Sequence, residues 1–116
     1  MQTGYERILV PVDFSTNSAR AVREAQRLLR DGGELLLIHV TEKFEPAIPW
    51  SATNRKLVTK LQREARSDAR AGLEKMAAGL HGLRVRKRVE SGNAEDRILE
   101  AARRERVGAI VVGAQG

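Results

Sequence analysis

The sequence predicts one α/β domain built on an open, doubly wound parallel sheet of Rossmann-like form, in strand order 3-2-1-4. Three observations carry that reading. Short apolar runs alternate with longer segments of helical period, the pattern of parallel strands joined by crossover helices. The runs at 8–12 and 35–40 lack polar alternation, as strands covered on both faces do. The run at 83–90 alternates apolar with charged residues and so belongs at a sheet edge.

The elements follow in order. Ile8-Leu9-Val10-Pro11-Val12 is short and largely β-branched, as a buried strand is, and Pro11 withdraws a ladder donor near its end. Residues 13–18 read as a loop entering a helix, with Ser15, Thr16, Asn17 and Ser18 all candidate N-caps. That helix is expected to reach about Arg30, with Ala21, Val22, Ala25, Leu28 and Leu29 on one stripe and Asp31-Gly32-Gly33 as its stop. The second strand is Leu35-Leu36-Leu37-Ile38-His39-Val40. Residues 41–54 form a longer connection holding Pro46, Pro49 and Trp50, the tryptophan being expected to pack over the sheet end. Residues 55–80 give the longest helix, since Leu57, Leu61, Ala65, Ala69, Leu73, Met76 and Leu80 step by three and four. Gly72 inside it costs ~1 kcal/mol relative to alanine. In the edge strand, Leu83, Val85 and Val89 oppose Arg84, Arg86 and Arg88, and Lys87 interrupts the apolar face. Gly92-Asn93 turns into a helix over 94–106, with Ile98, Leu99 and Ala102 inward. Glu95 and Asp96 in its first turn and Arg103, Arg104 and Arg106 in its last suit the helix dipole. The last strand spans 107–112, before Gly113-Ala114-Gln115-Gly116.

Composition excludes several function classes. The chain of 116 residues has the length of one domain. It has no cysteine, which removes disulfide scaffolds, thiolate zinc sites and cysteine nucleophiles. Lys+Arg number 21 against 15 Asp+Glu, giving +6, yet acids are interleaved with the bases and only Arg84, Arg86, Lys87 and Arg88 cluster. Such charge serves solvated faces before it serves a polyanion, and aromatics at 3% are too few for base stacking. Nucleic acid is therefore not the expected partner. No apolar run has the length of a membrane span and no secretory leader is visible, so the expectation is a cytoplasmic protein without a membrane partner.

Open parallel sheets bind ligands beyond the carboxyl ends of their strands, where strand order reverses. In a 3-2-1-4 sheet that point lies between the first and fourth strands, where Asp13 faces the turn at 113–116. On the residues alone, Gly113-x-x-Gly116 is either turn punctuation or a close backbone approach to phosphate. Asp13 is either a helix cap or an acceptor for a ribose or base. His39 is expected to be a satisfied strand-end residue and not a ligand. No metal-ligand spacing is present on a helix face, and Ser15 and Ser18 have no identifiable base and no Gly-x-Ser-x-Gly elbow. A phosphoacceptor receiver would need an acid cluster around Asp13, and an efficient nucleotide hydrolase a Walker lysine; neither is present.

Residues 8–15, Ile-Leu-Val-Pro-Val-Asp-Phe-Ser, resemble the opening strand and turn of the universal stress protein family. Leu36-Leu37-Ile38-His39-Val40 is similar to its second strand. Gly92-x5-Ile98, Ala102 and Ala109-Ile110-Val111-Val112-Gly113-x-x-Gly116 resemble its third helix and fourth strand. The resemblance implies a domain that binds ATP or AMP, alone or with magnesium and without a redox cofactor. It implies a stress-response or regulatory role without catalysis, often as a homodimer. It also implies that Val12 and Val40 line the adenine pocket and that Asp13 contacts adenosine. Gly113 and Gly116, with Gln115 between them, match the start of a Gly-x2-Gly-x9-Gly-Ser/Thr phosphate loop. The sequence departs from the pattern in three places. It stops at the second glycine, so the domain over 1–116 is expected to be incomplete at its C-terminus, without the family's fourth helix and fifth strand. Gly108 stands where the family has Asp, and Ala94 where it has Pro. An uncovered edge at 107–113 is then expected to self-associate. The alternative reading is an interaction module that binds no nucleotide and works through dimerisation or its basic strand.

Overall fold

A computed structural model of the chain describes residues 4–42 and 52–113. Trp50, Gln115 and Gly116 lie outside the described residues. The elements are β1 (Tyr5–Pro11), α1 (Thr16–Leu28), β2 (Leu29–Thr41), α2 (Ala52–Ala78), β3 (Arg84–Ser91), α3 (Ala94–Arg104) and β4 (Ala109–Ile110). Every pairing is parallel and the order is β3-β2-β1-β4, as the patterning predicts.

Alternating residues of the central strands build two half-cores. Ile8, Val10, Leu35 and Leu37 face α1 and α2 and pack with Ala21, Val22, Ala25 and Leu73. Leu9, Leu36 and Ile38 face the other way and pack with Ala101, with Ile98 and Ala102 of α3 alongside. Right-handed crossovers require this split: moving outward from β1 to β3 places α1 and α2 on one face, and returning past β1 to β4 places α3 on the other.

Several elements depart from the sequence reading. Helix α1 ends at Leu28, two residues early. Leu29 is already extended and pairs with Tyr5, and the chain then detours through Asp31, Gly32 (φ +73) and Gly33 before Glu34 pairs with Arg7. Leu29 is thus buried as a strand residue and Leu28 is exposed. Helix α2 buries only part of its stripe. Ala69 and Leu73 are buried, but Leu57 and Leu61 stay 54% and 53% exposed. A helix of 27 residues is about 40 Å long at 1.5 Å per residue. A strand of eight residues spans only about 26 Å, so the first half of α2 overshoots the sheet. Strand β4 is the two residues Ala109 and Ile110, where six were expected. Arg106 takes φ +53 and closes α3: its N–H donates to Arg103 and that of Val107 to Ala102, the double bond of a Schellman stop. Val107 therefore still belongs to the helix end. Gly108 and Val111 donate to Arg7 and Leu9 on either side of the pair, so backbone bonding outlasts the strand.

The basic run of β3 is tied down by acids. Arg86 Nη1 meets Glu105 Oε2 at 2.5 Å and Glu34 Oε1 at 3.4 Å, and Arg88 meets Glu105 at 3.3 Å and Glu90 at 3.0 Å. Lys87 points to the opposite face and pairs with Glu74 of α2 at 2.8 Å. Glu105 caps the carboxyl end of α3, where a negative charge is disfavoured; the arginines of β3 reverse that preference. Its hydrogen bond from Arg86 and the nearby arginine charges hold its carboxyl below the ordinary 4.5. The stabilisation is therefore complete above the usual carboxylate range and is lost as pH falls beneath it. Glu105→Gln is expected to cost about 1 kcal/mol at neutral pH and progressively less at acid pH, as the native carboxylate takes up its proton. Urea denaturation of both proteins at neutral and acid pH measures the difference.

Candidate functional site

The site forms where β1 lets go of the sheet. Val12 still donates to Ile38 O at 2.8 Å, but Asp13 turns away to enter α1. Ser15 is the N-cap of α1, its Oγ accepting from Ser18 N at 3.2 Å. Ser18 lies one turn later, is buried, and returns its hydroxyl to Asp13. Asp13 N–H donates to Ser18 Oγ at 2.8 Å, while that hydroxyl donates to Asp13 Oδ1 at 2.5 Å. Ser15 N–H donates to the same Oδ1 at 2.9 Å. One oxygen of the carboxylate is thus committed to the turn. The Ser15 hydroxyl adds a side-chain hydrogen bond to the same carboxylate. Hydrogen bonds from Ser15 and then Ser18 hold the carboxyl at about 2, below its ordinary 3.8, so Asp13 is a fixed anion at the floor of the site.

A cleft of about 300 Å³ opens over this turn, the lower end of the size range of small-ligand pockets. It brings together Val12 and Asp13 just beyond β1, Val40 from β2 and Gly113 beyond β4, four of the six residues singled out by the sequence. Gln115 and Gly116 lie outside the described residues. Gly113 has a packing reason of its own: a Cβ there would stand 2.7 Å from Asn17 O, against the first turn of α1. That close approach brings the end of β4 to the amino end of α1. No acidic residue occupies the first turn of α1, and the anion at its amino end is Asp13 itself, just before the N-cap.

His39, Asn17, Ala94 and Ile98 also line the cleft, and the sequence reading assigned none of them a part in a site. His39 Nδ1 lies 2.7 Å from Val12 O, which only accepts, so Nδ1 donates to it. The ring is also stacked on Phe14, with centroids 4.9 Å apart, making it a satisfied strand-end residue that faces the cleft. The sequence signal for Ala94 and Ile98 was only their place at the start and on the inward side of α3. Among the described residues, no three of His, Cys, Asp and Glu gather as a metal site, and no helix is long and apolar enough to cross a membrane.

A family model described as the universal stress protein family matches residues 4–116. The structure of the hypothetical protein MJ0577 aligns at a TM-score of 0.79 with 23% identity, covering 91% of this chain and 72% of that one. Universal stress protein UspA from Lactobacillus plantarum aligns at 0.69 with 22% identity, over 98% of this chain and 80% of its own. A universal stress protein family protein from Arabidopsis thaliana with AMP bound aligns at 0.64 with 21% identity, over 95% and 77%. At these identities the alignments carry the fold alone. No curated protein sequence matches the chain significantly.

The Asp13 knot has a pH signature. Its folded value of about 2 lies below the ordinary 3.8, so its stabilisation is present above about pH 4 and is lost as pH falls through 2. Ser18→Ala removes one of the two donors to Oδ1. It is expected to raise the Asp13 value toward 3.8 and to lower stability by about 1 kcal/mol. A carboxyl carbon NMR titration beside chemical denaturation reads both effects.

Proposed function

The chain belongs to the universal stress protein family, and from that premise we propose that it binds an adenine nucleotide, AMP or ATP, in the cleft between β1 and β4. It acts in regulation by occupancy and not by turnover, within the cytoplasm. The observation that carries the proposal is the union of Val12, Asp13, Val40 and Gly113 around one cleft at the point where strand order reverses. The chemistry of the lining suits the ligand. Val12, Val40 and Ile98 offer apolar surface for a flat base. The Asp13 carboxylate is ionised at every physiological pH and matches ribose hydroxyls, which donate. The AMP carried by the Arabidopsis relative supports the same ligand class.

The alternative of an anion-binding basic strand finds little support. Arg86, Lys87 and Arg88 are each engaged by carboxylates, and those carboxylates would have to be displaced by any outside partner.

Calorimetric titration with AMP and ATP tests the reading. Asp13→Asn keeps an acceptor on the turn but removes the charge, and is expected to weaken AMP binding about tenfold, the loss of a charge-assisted hydrogen bond. Unchanged affinity in that variant, or no binding by the parent chain, removes the proposal.

Self-association belongs to the same proposal. β4 is an edge of the sheet, nothing among the described residues pairs with its outer side, and Val112 beyond it is 65% exposed. Sedimentation velocity is expected to give a species heavier than 12.9 kDa at high micromolar concentration, and Val112→Lys to shift it toward monomer. A parent chain that sediments as a monomer would discard the dimer.

A further inference from the structure

Phe14 occupies the middle of the Asp13 turn in an unusual state. Its φ is +65, a left-handed backbone that bulky residues rarely adopt and that persists only where surroundings enforce it. Two surroundings are present. One is the His39 ring, 4.9 Å away and tilted by 32°. The other is Gly72 in α2, where an added Cβ would stand 2.7, 2.9 and 3.1 Å from three atoms of the Phe14 ring. Glycine inside a helix is unfavourable against alanine, and a glycine there calls for a packing reason. The ring supplies it.

We propose that Gly72 is a positioning residue for the candidate site: the notch it leaves in α2 seats the Phe14 ring, and the seated ring holds the Asp13 turn in its left-handed form. This deepens the nucleotide reading and rests on it for its affinity readout. The geometry also states what yields. The atoms met by a new methyl are the far end of a side chain that is 42% exposed, so the ring leaves the notch and α2 stays intact. With the ring unseated, the left-handed turn loses one of its two braces. Asp13 Oδ1 then loses its alignment with Ser15 N–H and the Ser18 hydroxyl, and the carboxylate its fixed place in the cleft lining.

The test is a cycle of Gly72→Ala and Phe14→Gly, alone and combined, with Phe14→Ala beside them. Each variant is read by the NMR titration of Asp13, by AMP calorimetry and by circular dichroism. Gly72→Ala is expected to stay folded, to move the Asp13 value up from about 2 toward 3.8, and to weaken AMP binding about tenfold. In the Phe14→Gly background, where no ring needs the notch and glycine takes positive φ freely, the same alanine is expected to change neither readout. Phe14→Ala keeps the strained backbone without its brace and should reproduce the Asp13 shift, which decides the matter should Gly72→Ala fail to fold. The proposal is overturned if Gly72→Ala or Phe14→Ala leaves Asp13 at about 2. It is equally overturned if the alanine acts as strongly without the ring, since the effect then passes through the helix. A parent chain that binds no AMP defeats the nucleotide reading, while the Asp13 titrations still judge the role of Gly72.

Discussion

Strand β1 is the constraint on which the rest of the molecule depends. It is hydrogen-bonded to β2 on one edge and β4 on the other, and Ile8, Leu9 and Val10 are wholly inaccessible to solvent. Burying a large aliphatic side chain is worth ~1.5–3 kcal/mol, so these three positions outweigh any exposed ion pair at ~0–1 kcal/mol. Because both faces of β1 must be covered, the crossovers on its two sides leave in opposite directions. That divergence opens the space above its carboxyl end. The cleft is thus a by-product of covering one strand completely.

The residues at that end then serve two purposes at once. The Asp13 carboxylate completes the entry to α1 and also lines the cleft. Gly113 admits the backbone of Asn17 and, by doing so, draws the end of β4 to the same place. Helix capping and ligand recognition are usually posed as rival roles for such an aspartate. Here Asp13 fills the first role while its side chain still lines the cleft.

Charge plays a different part. The excess of basic residues suggests a surface for polyanions, yet the densest cluster, on β3, closes on Glu34, Glu74, Glu90 and Glu105. Two of those acids come from helices on opposite faces, so the edge strand is bound to α2 through Lys87 and to the end of α3 through Arg86 and Arg88. An alternating strand can reach both layers because successive side chains point to opposite faces. The cluster is a fastening for an edge.

The sequence by itself determined the element types, the parallel sheet, the strand order and the meeting of Asp13 with Gly113. These follow from local period and from the chirality of crossovers, which act through near neighbours or through general rules of the chain. The tertiary structure alone decided the rest. It ended α1 early, because Leu29 gains more as a buried partner of Tyr5 than as a last helical residue. It left Leu57 and Leu61 in solvent, because helical period says which face is apolar but not how far the sheet beneath extends. It shortened β4, because the Schellman stop at Arg106 holds Val107 in the helix end. And it joined His39, Phe14 and Gly72, residues 14, 39 and 72 of the chain, in one stack beside the cleft. Nothing in their spacing announces that contact. It arises only when two strands and a helix from separate crossovers close over the same strand end.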